Sequence, residues 1–313
     1  IRQSLVGSEM CIRDRSETKI NISKYMGIKT SKEIKNIESC HIEDGLAVLK
    51  FIIELKQKKI NPKNEYEVSE ILYNKRKEGI NFFRNSFDYI SAFDSNAAIV
   101  HYKPHSENSL SSKNRNLLLI DSGAQYLEGT TDITRVIKIG AKNLSRVKFS
   151  YTYLLKSLIR IENKIFPKNI RTSEIDLFIR KYLSKFNITY NHGTGHGVGN
   201  FGDVHEKFPV ISSRSNDILV KNALFSIEPG YYVEGQFGLR IENLYVSKNI
   251  NNNLKLKNVT LVPYDLDLVN FKLITNFERN YIKKYHREIY KTLKPRLSDD
   301  NRDYFIKNLI NKI

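Results

Sequence analysis

Cysteine and tryptophan are scarce in this chain of 313 residues, which has two cysteines, Cys11 and Cys40, and no tryptophan. Two cysteines cannot build a disulfide framework, and such usage is typical of a reducing compartment. We therefore predict a cytoplasmic location. No apolar run approaches the ~18–20 residues of a membrane-spanning helix. The first residues also lack the apolar core of a signal peptide, so the sequence predicts no contact with a membrane.

Acidic residues are in deficit, because 34 Asp and Glu stand against 51 Lys and Arg and leave a net charge of +17. Such a charge attracts polyanions, so nucleic acid stays open as an alternative partner. The basic clusters are short, as in the Lys-Gln-Lys-Lys run at 56–59, and no long basic arm is present. We interpret the charge as a solvated lysine-rich surface and predict no nucleic-acid partner.

Length alone allows one large domain or two ordinary ones. Residues 1–30 are interpreted as an N-terminal extension, of which about the first 15 match no element and are expected to be non-native. Residues 31–313 are interpreted as one domain with a helical tail. Apolar residues at helical spacing predict helices over 31–58, 66–77, 144–164, 173–186 and 277–293.

Short apolar runs bounded by turn residues predict strands between these helices. The predicted strands are 97–102, 117–121, 130–139, 223–228 and 237–246, with a turn around Pro229-Gly230 and a polar loop over 249–253. Strands followed by helices occur twice, and each half contributes a pair of acids. The pattern therefore predicts an α+β domain of two related halves.

Each of these two acid pairs follows apolar strand residues. Asp121 and Asp132 flank a segment with turn-forming glycines, and Glu228 and Glu242 follow short apolar runs. A hairpin in each half would bring its two acids together. Because carboxylates buried side by side repel one another and are costly unless paired or metal-bound, two divalent cations would remove the problem. The pattern predicts a dinuclear metal site.

Three of the seven histidines fall within residues 192–205, a glycine-rich stretch with few core-forming residues. His196 with four carboxylates gives an oxygen-rich shell with one nitrogen, which suits Mn²⁺, with Co²⁺, Fe²⁺ or Zn²⁺ as alternatives. Singly, an Asp after a strand is most often a turn or cap residue, and a lone His is most often a surface or core group. The metal interpretation rests on the recurrence of all five.

Several motifs resemble, in the same order, those of metallopeptidases with the pita-bread fold, and within them the aminopeptidases P. They are Asp121-Ser-Gly-Ala-Gln-Tyr, Gly129-Thr-Thr-Asp132-Ile-Thr-Arg135, His192-Gly-Thr-Gly-His196-Gly-Val-Gly, Val204-His205-Glu206, Glu228-Pro-Gly230 and Leu239-Arg-Ile-Glu242-Asn243. The resemblance covers residues 31–313. It implies a pita-bread catalytic domain, in which two pseudo-symmetric αβ halves surround a curved antiparallel sheet.

The resemblance also implies roles for individual residues. The implied metal ligands are Asp121, Asp132, His196, Glu228 and Glu242, around two ions that are usually manganese. Asp132 and Glu242 would bridge the ions. Glu228 would carry the proton, His101, His192 and His205 would contact the substrate, and Arg240 would either orient the peptide or form a structural salt bridge.

The implied activity is hydrolysis of the N-terminal residue from peptides with proline in second position. Gly202-Asp203 before Val204-His205-Glu206, and Lys207-Phe208-Pro209 after it, depart from the family pattern. The family's N-terminal domains are not in the sequence, so we expect the catalytic unit alone, and a homodimer stays open. The alternative is a catalytically inactive pita-bread protein that binds nucleic acid, histone or another protein.

Overall fold

The computed structural model describes residues 22–107 and 109–313. Of the predicted N-terminal extension, residues 1–21 lie outside the described residues. Residues 22–30 begin with a short helix, α1 (Ile22–Gly27). The Lys29 N–H then donates to the Asn222 carbonyl oxygen at 2.8 Å, and the Lys29 ammonium donates to Glu206 at 2.8 Å. This part of the extension is therefore tied to the body of the protein.

Six further α-helices follow, and five of them begin and end close to the predicted positions. They are α2 (Ser31–Lys56), α3 (Glu65–Lys77), α4 (Ser145–Glu162), α5 (Thr172–Ser184), α6 (Asn276–Leu293) and α7 (Asp299–Phe305). Thr30 and Thr275 start α2 and α6 with capping boxes, in which the threonine side chain and a glutamate three residues later satisfy each other's backbone N–H groups. The five predicted helices are confirmed, and α7 is an addition.

The strands form antiparallel pairs throughout. They are β1 (Phe82–Asn85), β2 (Ile90–Phe93), β3 (Leu117–Ser122), β4 (Ala124–Tyr126), β5 (Gly129–Thr130), β6 (Ile133–Lys138), β7 (Ile165–Pro167), β8 (Gly195–Gly197), β9 (Glu206–Ile211), β10 (Leu224–Ile227), β11 (Gly230–Val233), β12 (Phe237–Arg240), β13 (Asn243–Ile250) and β14 (Asn253–Asn258). The sheets have the orders β1-β4-β5, β2-β3-β6, β11-β12 and β7-β14-β13-β10-β8-β9. The predicted α+β class is confirmed.

One buried core joins α4 and α5 to the six-stranded sheet, and a second packs α2 and α3 against β3 and β6. Arg135 connects the sheets, because its guanidinium donates to the Glu242 carbonyl at 2.6 Å and to the Asn243 side chain at 2.8 Å. The Glu242 N–H in turn donates to the Thr134 carbonyl at 3.2 Å. Within the described ranges, no helix is both long and apolar enough to cross a bilayer.

The predicted strand over residues 97–102 is wrong. The chain forms a 3-10 helix over Asp94–Ala98, and Ile99 is 55% exposed. The Asp94 carboxylate accepts from the Leu117 N–H at 2.9 Å and so holds the turn against β3. The run of apolar residues therefore belongs to a loop that is fixed by side chains.

The other strand predictions hold in part. The segment predicted as 130–139 divides at Thr131-Asp132, and the segment predicted as 237–246 divides at Ile241-Glu242, so each acid lies in a break between strands. The turn predicted at Pro229-Gly230 is instead at residues 234–236, where Gly235 has a φ of 69°. The predicted polar loop 249–253 is the tight turn between β13 and β14.

Candidate metal centre

The first acid pair lies at one end of the β3–β6 ladder. Asp121 in β3 pairs with Thr134 in β6, and Asp132 immediately precedes β6. The small β4–β5 hairpin accounts for the residues between them. Carboxylate oxygens of Asp121, Asp132 and Glu242 all lie within 4.8 Å of one another. The pairing of β3 with β6 therefore places Asp121 and Asp132 close together and next to Glu242 of the second acid pair.

The second acid pair lies where β10 and β13 run side by side. Glu228 follows β10 and Glu242 precedes β13, and the adjacent residues Ile227 and Asn243 are register partners. The β11–β12 hairpin carries the chain out and back between the two acids. Ligand atoms of Glu228, Glu242 and His196 lie within 4.8 Å of one another. The four carboxylates thus share one site, and Glu242 belongs to both groups.

Burial and mutual repulsion disturb the acids strongly. Burial, followed by the charges of Glu242, Asp121 and Glu228, raises the pKa of Asp132 well above its ordinary value. Burial, Glu228 and Asp121 likewise raise the pKa of Glu242 well above its ordinary value. Burial raises the pKa of Glu228 to about 7, with Arg240 opposing the shift and Asp121 adding to it. The four carboxyl groups therefore repel one another more strongly than the single positive charge of Arg240 can offset.

The donor atoms fit two divalent cations. Asp121 and Asp132 each have a buried Oδ1 that has no hydrogen-bond partner, and a buried carboxylate oxygen without a donor is costly. Oxygen ligands with one imidazole suit Mn²⁺ and related divalent ions. Bound cations would satisfy these oxygens and remove the repulsion that raises the carboxyl pKa values.

His196 faces the acids through one ring nitrogen. Its Nε2 lies 3.5 Å from Asp132 Oδ2 and 3.4 Å from Glu228 Oε1. The other nitrogen, Nδ1, lies 3.0 Å from the Gly197 carbonyl oxygen, so it carries the proton and leaves the Nε2 lone pair free. Burial and then His205 lower the pKa of His196 to about 3. A neutral imidazole with this tautomer is suited to bind a metal.

The other three predicted site histidines line one cavity of about 540 Å³, together with His196 and all four acids. His205 packs edge-on against His196 with ring centroids 3.9 Å apart. His192 holds Nδ1 2.7 Å from the Gly193 carbonyl and Nε2 2.9 Å from the Tyr232 hydroxyl. Burial is the main cause that lowers the pKa of His192 to about 4. His101 enters this cavity from the loop after β2.

Arg240 is fully engaged within the protein. Nη2 donates to Asp121 at 2.6 Å, Nη1 to the Tyr232 hydroxyl at 2.8 Å, and Nε to the Thr134 hydroxyl at 3.1 Å. Thr134 also donates to Glu242 Oε2 at 2.8 Å. Sequence reasoning missed Thr134 and Tyr232. Thr134 lies inside a quoted motif, whereas Tyr232 gives no signal in the sequence.

A buried acid on α5 holds the histidine stretch in place. Asp176 accepts from the Thr194 hydroxyl at 2.5 Å and from Arg180 Nε at 2.9 Å. The guanidinium of Arg180 donates to the carbonyl oxygens of Tyr190, at 2.7 Å, and His192, at 2.5 Å. The glycine-rich backbone therefore has a fixed path into the cleft, although few of its own side chains pack in the core.

The sequence matches two known family models. The model of metallopeptidase family M24 matches residues 36–249, and the model of the C-terminal region of peptidase M24 matches residues 252–310. The chain belongs to metallopeptidase family M24. The first match contains every predicted ligand, and the second contains the helical tail.

Individual M24 relatives agree with the resemblance read from the motifs. "Probable Xaa-Pro aminopeptidase P" of Sordaria macrospora is 36% identical over 291 residues, which cover 88% of this chain and 47% of the relative. X-prolyl aminopeptidase of Caenorhabditis elegans, described as a cytosolic enzyme with a di-nuclear active site, superposes with a TM-score of 0.86 at 29% identity. The match covers 93% of this chain and 49% of the Caenorhabditis elegans chain. The resemblance to Xaa-Pro aminopeptidases is confirmed, and the chain spans about half the length of these relatives.

A prolidase is a more distant structural neighbour. The recombinant prolidase from Thermococcus sibiricus has a TM-score of 0.66 at 29% identity, and the match covers 78% of this chain and 63% of the prolidase. The shared architecture does not by itself select the substrate, because a family fold supports several specificities.

Proposed function

We propose that this chain is the catalytic unit of a dinuclear metallo-aminopeptidase that removes the first residue from peptides with proline in second position. The observation that carries the proposal is the convergence of four carboxylates and His196 in one cleft that three further histidines line. In domain terms, residues 31–313 form this unit. Its fold is the pita-bread arrangement, with pseudo-symmetric halves that each supply one acid pair.

The proposed ligands are Asp121, Asp132, His196, Glu228 and Glu242. Asp132 and Glu242 are the proposed bridging residues. Asp132 lies within 4.8 Å of His196 and His205 as well as of Asp121, and Glu242 lies within the same distance of the ligand atoms of Glu228 as well as of Asp121, so each of these two acids is close to ligands on both sides of the site. When bound, two divalent ions, Mn²⁺ by preference and otherwise Co²⁺, Fe²⁺ or Zn²⁺, would acidify a water and polarise the scissile carbonyl. The remaining steps belong to the side chains of this protein.

Glu228 is the proposed proton carrier. Its carboxyl lines the cleft, with Oε1 3.4 Å from His196 Nε2, so it is placed to accept a proton from the attacking water and donate it to the leaving proline nitrogen. Proline offers no backbone N–H at this position, and the site therefore must not require that donor.

His205 is the better candidate to stabilise the oxyanion. In neutral His192, the Nδ1 proton faces the Gly193 carbonyl and Nε2 accepts from Tyr232, so both nitrogens are engaged. His192 then supports the cleft wall, while His205 and His101 present their imidazoles to the substrate. We assign Arg240 the structural role, since each of its three nitrogens already has an acceptor in the protein.

The deciding experiment combines metal analysis with a peptide panel. We expect about two Mn²⁺ per chain after reconstitution and release of the first residue from Xaa-Pro-Yaa peptides, with no release when alanine replaces the proline. Stoichiometric metal with preference for the alanine peptides would defeat the specificity. Absence of both metal and hydrolysis would defeat the enzyme proposal.

The alternative, an inactive family member that binds nucleic acid, histone or another protein, makes a different prediction. It requires retention on DNA or RNA that weakens steeply with salt. We propose peptides as the partners, no nucleic-acid partner, and a cytoplasmic location, which the low cysteine content supports. A homodimer is left to measurement of the molar mass in solution.

A further inference from the structure

A buried carboxylate outside the metal centre organises the loop that carries His101. Glu65 is the first residue of α3, and its side chain is fully buried. Its oxygens accept from the Phe93 N–H at 2.6 Å, the Leu110 N–H at 2.7 Å and the Tyr102 hydroxyl at 2.7 Å. The Asn96 amide also donates to both oxygens, at 3.2 and 3.0 Å.

These donors come from both sides of His101. Phe93 and Asn96 precede the histidine, and Tyr102 and Leu110 follow it. The Glu65 carboxylate therefore holds the two sides of the His101 loop together. The donors are neutral backbone, amide and phenol groups, and together they satisfy both oxygens of the buried Glu65 side chain. Burial, followed by the hydrogen bond to Glu65, raises the pKa of Tyr102 to about 12, so the phenol keeps its proton and donates.

The neighbouring residues Tyr102 and His101 have opposite environments. Tyr102 is 9% exposed and reaches Glu65, whereas His101 lines the cleft beside the acids. Burial is the main cause that lowers the pKa of His192 and of His205, and the nearby His101 is a smaller cause in both, so the three imidazoles lie near one another. A small movement of the Tyr102 anchor would therefore move the His101 imidazole relative to the other two.

A second contact fixes the base of the same loop. An added Cβ on Gly238 would lie 1.7 Å from the Ala97 carbonyl oxygen, so the β12 backbone packs directly on the 3-10 turn. Asp94 holds the other side through the Asn116 and Leu117 N–H groups. The base is thus also held by contacts other than those with Glu65, while Tyr102 and Leu110 anchor the part of the loop beyond Ala98 to Glu65.

We propose that Glu65 is a positioning residue, which acts through Tyr102 to place the His101 imidazole in the substrate cleft. The activity readout of this inference rests on the proposed aminopeptidase function. Its structural readout does not, because the position of an imidazole can be followed without substrate.

The test variant is Tyr102→Phe, which removes one hydroxyl and leaves the ring. We expect kcat/KM for an Xaa-Pro-Yaa peptide to fall between about tenfold and a hundredfold, since a misplacement of about 1 Å has effects of this size. The fall should appear mainly in KM if His101 binds the ground state. Glu65→Gln should act in the same direction, and Tyr102→Phe keeps the test usable if that variant fails to fold.

Tyr245→Phe is the matched control. Its phenol also donates to a buried carboxylate, Glu162, at 2.7 Å, but from β13 rather than from the His101 loop. We expect it to lower the melting temperature about as much as Tyr102→Phe, with kcat/KM within about twofold of the parent. Equal losses of activity in the two variants would overturn the proposal.

A double-mutant cycle with His101→Ala tests whether Tyr102 affects activity through His101. If Tyr102 acts through His101, Tyr102→Phe should have no further effect on kcat/KM once the imidazole is gone. An undiminished effect in that background would refute positioning. Failure of the proposed function would look different, because the parent protein itself would then release no product.

The independent readout is the NMR spectrum of protein with isotope-labelled histidine, recorded with Mg²⁺ in place of Mn²⁺ to avoid paramagnetic broadening. Tyr102→Phe should shift or broaden the His101 ring resonance and leave the His286 resonance, from the buried ring on α6, unchanged. An unchanged His101 resonance in Tyr102→Phe would contradict the inference, whatever the activity.

Discussion

Two groups of buried carboxylates in this protein have opposite surroundings. Glu65 and Glu162 are surrounded by neutral donors. Glu162, for example, accepts from the Tyr245 hydroxyl at 2.7 Å and the Asn258 amide at 3.2 Å. In the cleft, by contrast, Asp132 and Glu242 face other carboxylates, and Asp132 Oδ1 has no donor.

The two groups of acids differ in their neighbours rather than in their burial. Burial raises the pKa of Glu162 to about 7, and it also raises the pKa values of Asp132 and Glu242. Of the two groups, the cleft combines burial with like charges and an unsatisfied oxygen, a combination that is costly in a folded protein without a cation. The kind of partner, rather than the depth of burial, therefore marks the functional acids.

Removing one bridging charge should give the largest effect. Asp132→Asn is expected to reduce kcat/KM by more than about a thousandfold, because the variant loses a proposed ligand of both metals. The metal-free variant should be more stable than the metal-free parent, since one repelling charge is gone. Kinetics, metal content and thermal unfolding in chelator measure the three effects. Exposed Asp303→Asn is the control, and turnover by Asp132→Asn would mean that the ligand is misassigned.

Glu162 should make stability depend on pH. Its pKa is about 7 in the folded protein against 4.5 as the ordinary value. The folded protein keeps the proton longer, so this contribution is complete below pH 4.5 and is lost as the pH rises through about 7. The difference corresponds to about 3 kcal/mol.

Denaturant unfolding of parent and Glu162→Gln across this pH range measures the effect. The variant has no carboxyl to titrate, so the difference in unfolding free energy between the proteins should change with pH. The acids of the cleft titrate in both proteins and cancel in the difference. A difference that stays constant between pH 4.5 and 7 would show that Glu162 ionises normally.

A smaller effect is expected at Thr134, which connects Arg240 to Glu242. Thr134→Val keeps the shape of the side chain but removes the hydroxyl that orients the Glu242 carboxylate. Loss of such a supporting hydrogen bond should weaken metal binding about tenfold, as measured by calorimetric titration with Mn²⁺. The control is Thr172→Val, at a buried threonine of α5 whose hydroxyl donates to Ser215, and it should leave the affinity unchanged. Equal weakening in the two variants would rule out a specific role for Thr134.

The sequence was most informative where a pattern depends on neighbours along the chain. Helical spacing located α2 to α6, and acids after apolar runs located the residues that converge in the cleft. The loop at 97–102 was misread because its conformation depends on Glu65 and Asp94, which are distant in sequence from much of what they hold. Tyr232 was missed for the same reason, since its role follows from contacts with Arg240 and His192.

Arg135 gives the metal site a mechanical property. The residue stands in β6 beside the first acid pair and donates to the backbone of Glu242 in the second pair. It also donates to the Val262 and Pro263 carbonyls, at 2.8 and 3.2 Å, in the segment that leads to the helical tail. The Arg135 side chain thus joins β6, the backbone at Glu242 and the segment before the helical tail. The two acid pairs cannot separate by sliding of the sheets unless the tail loosens with them.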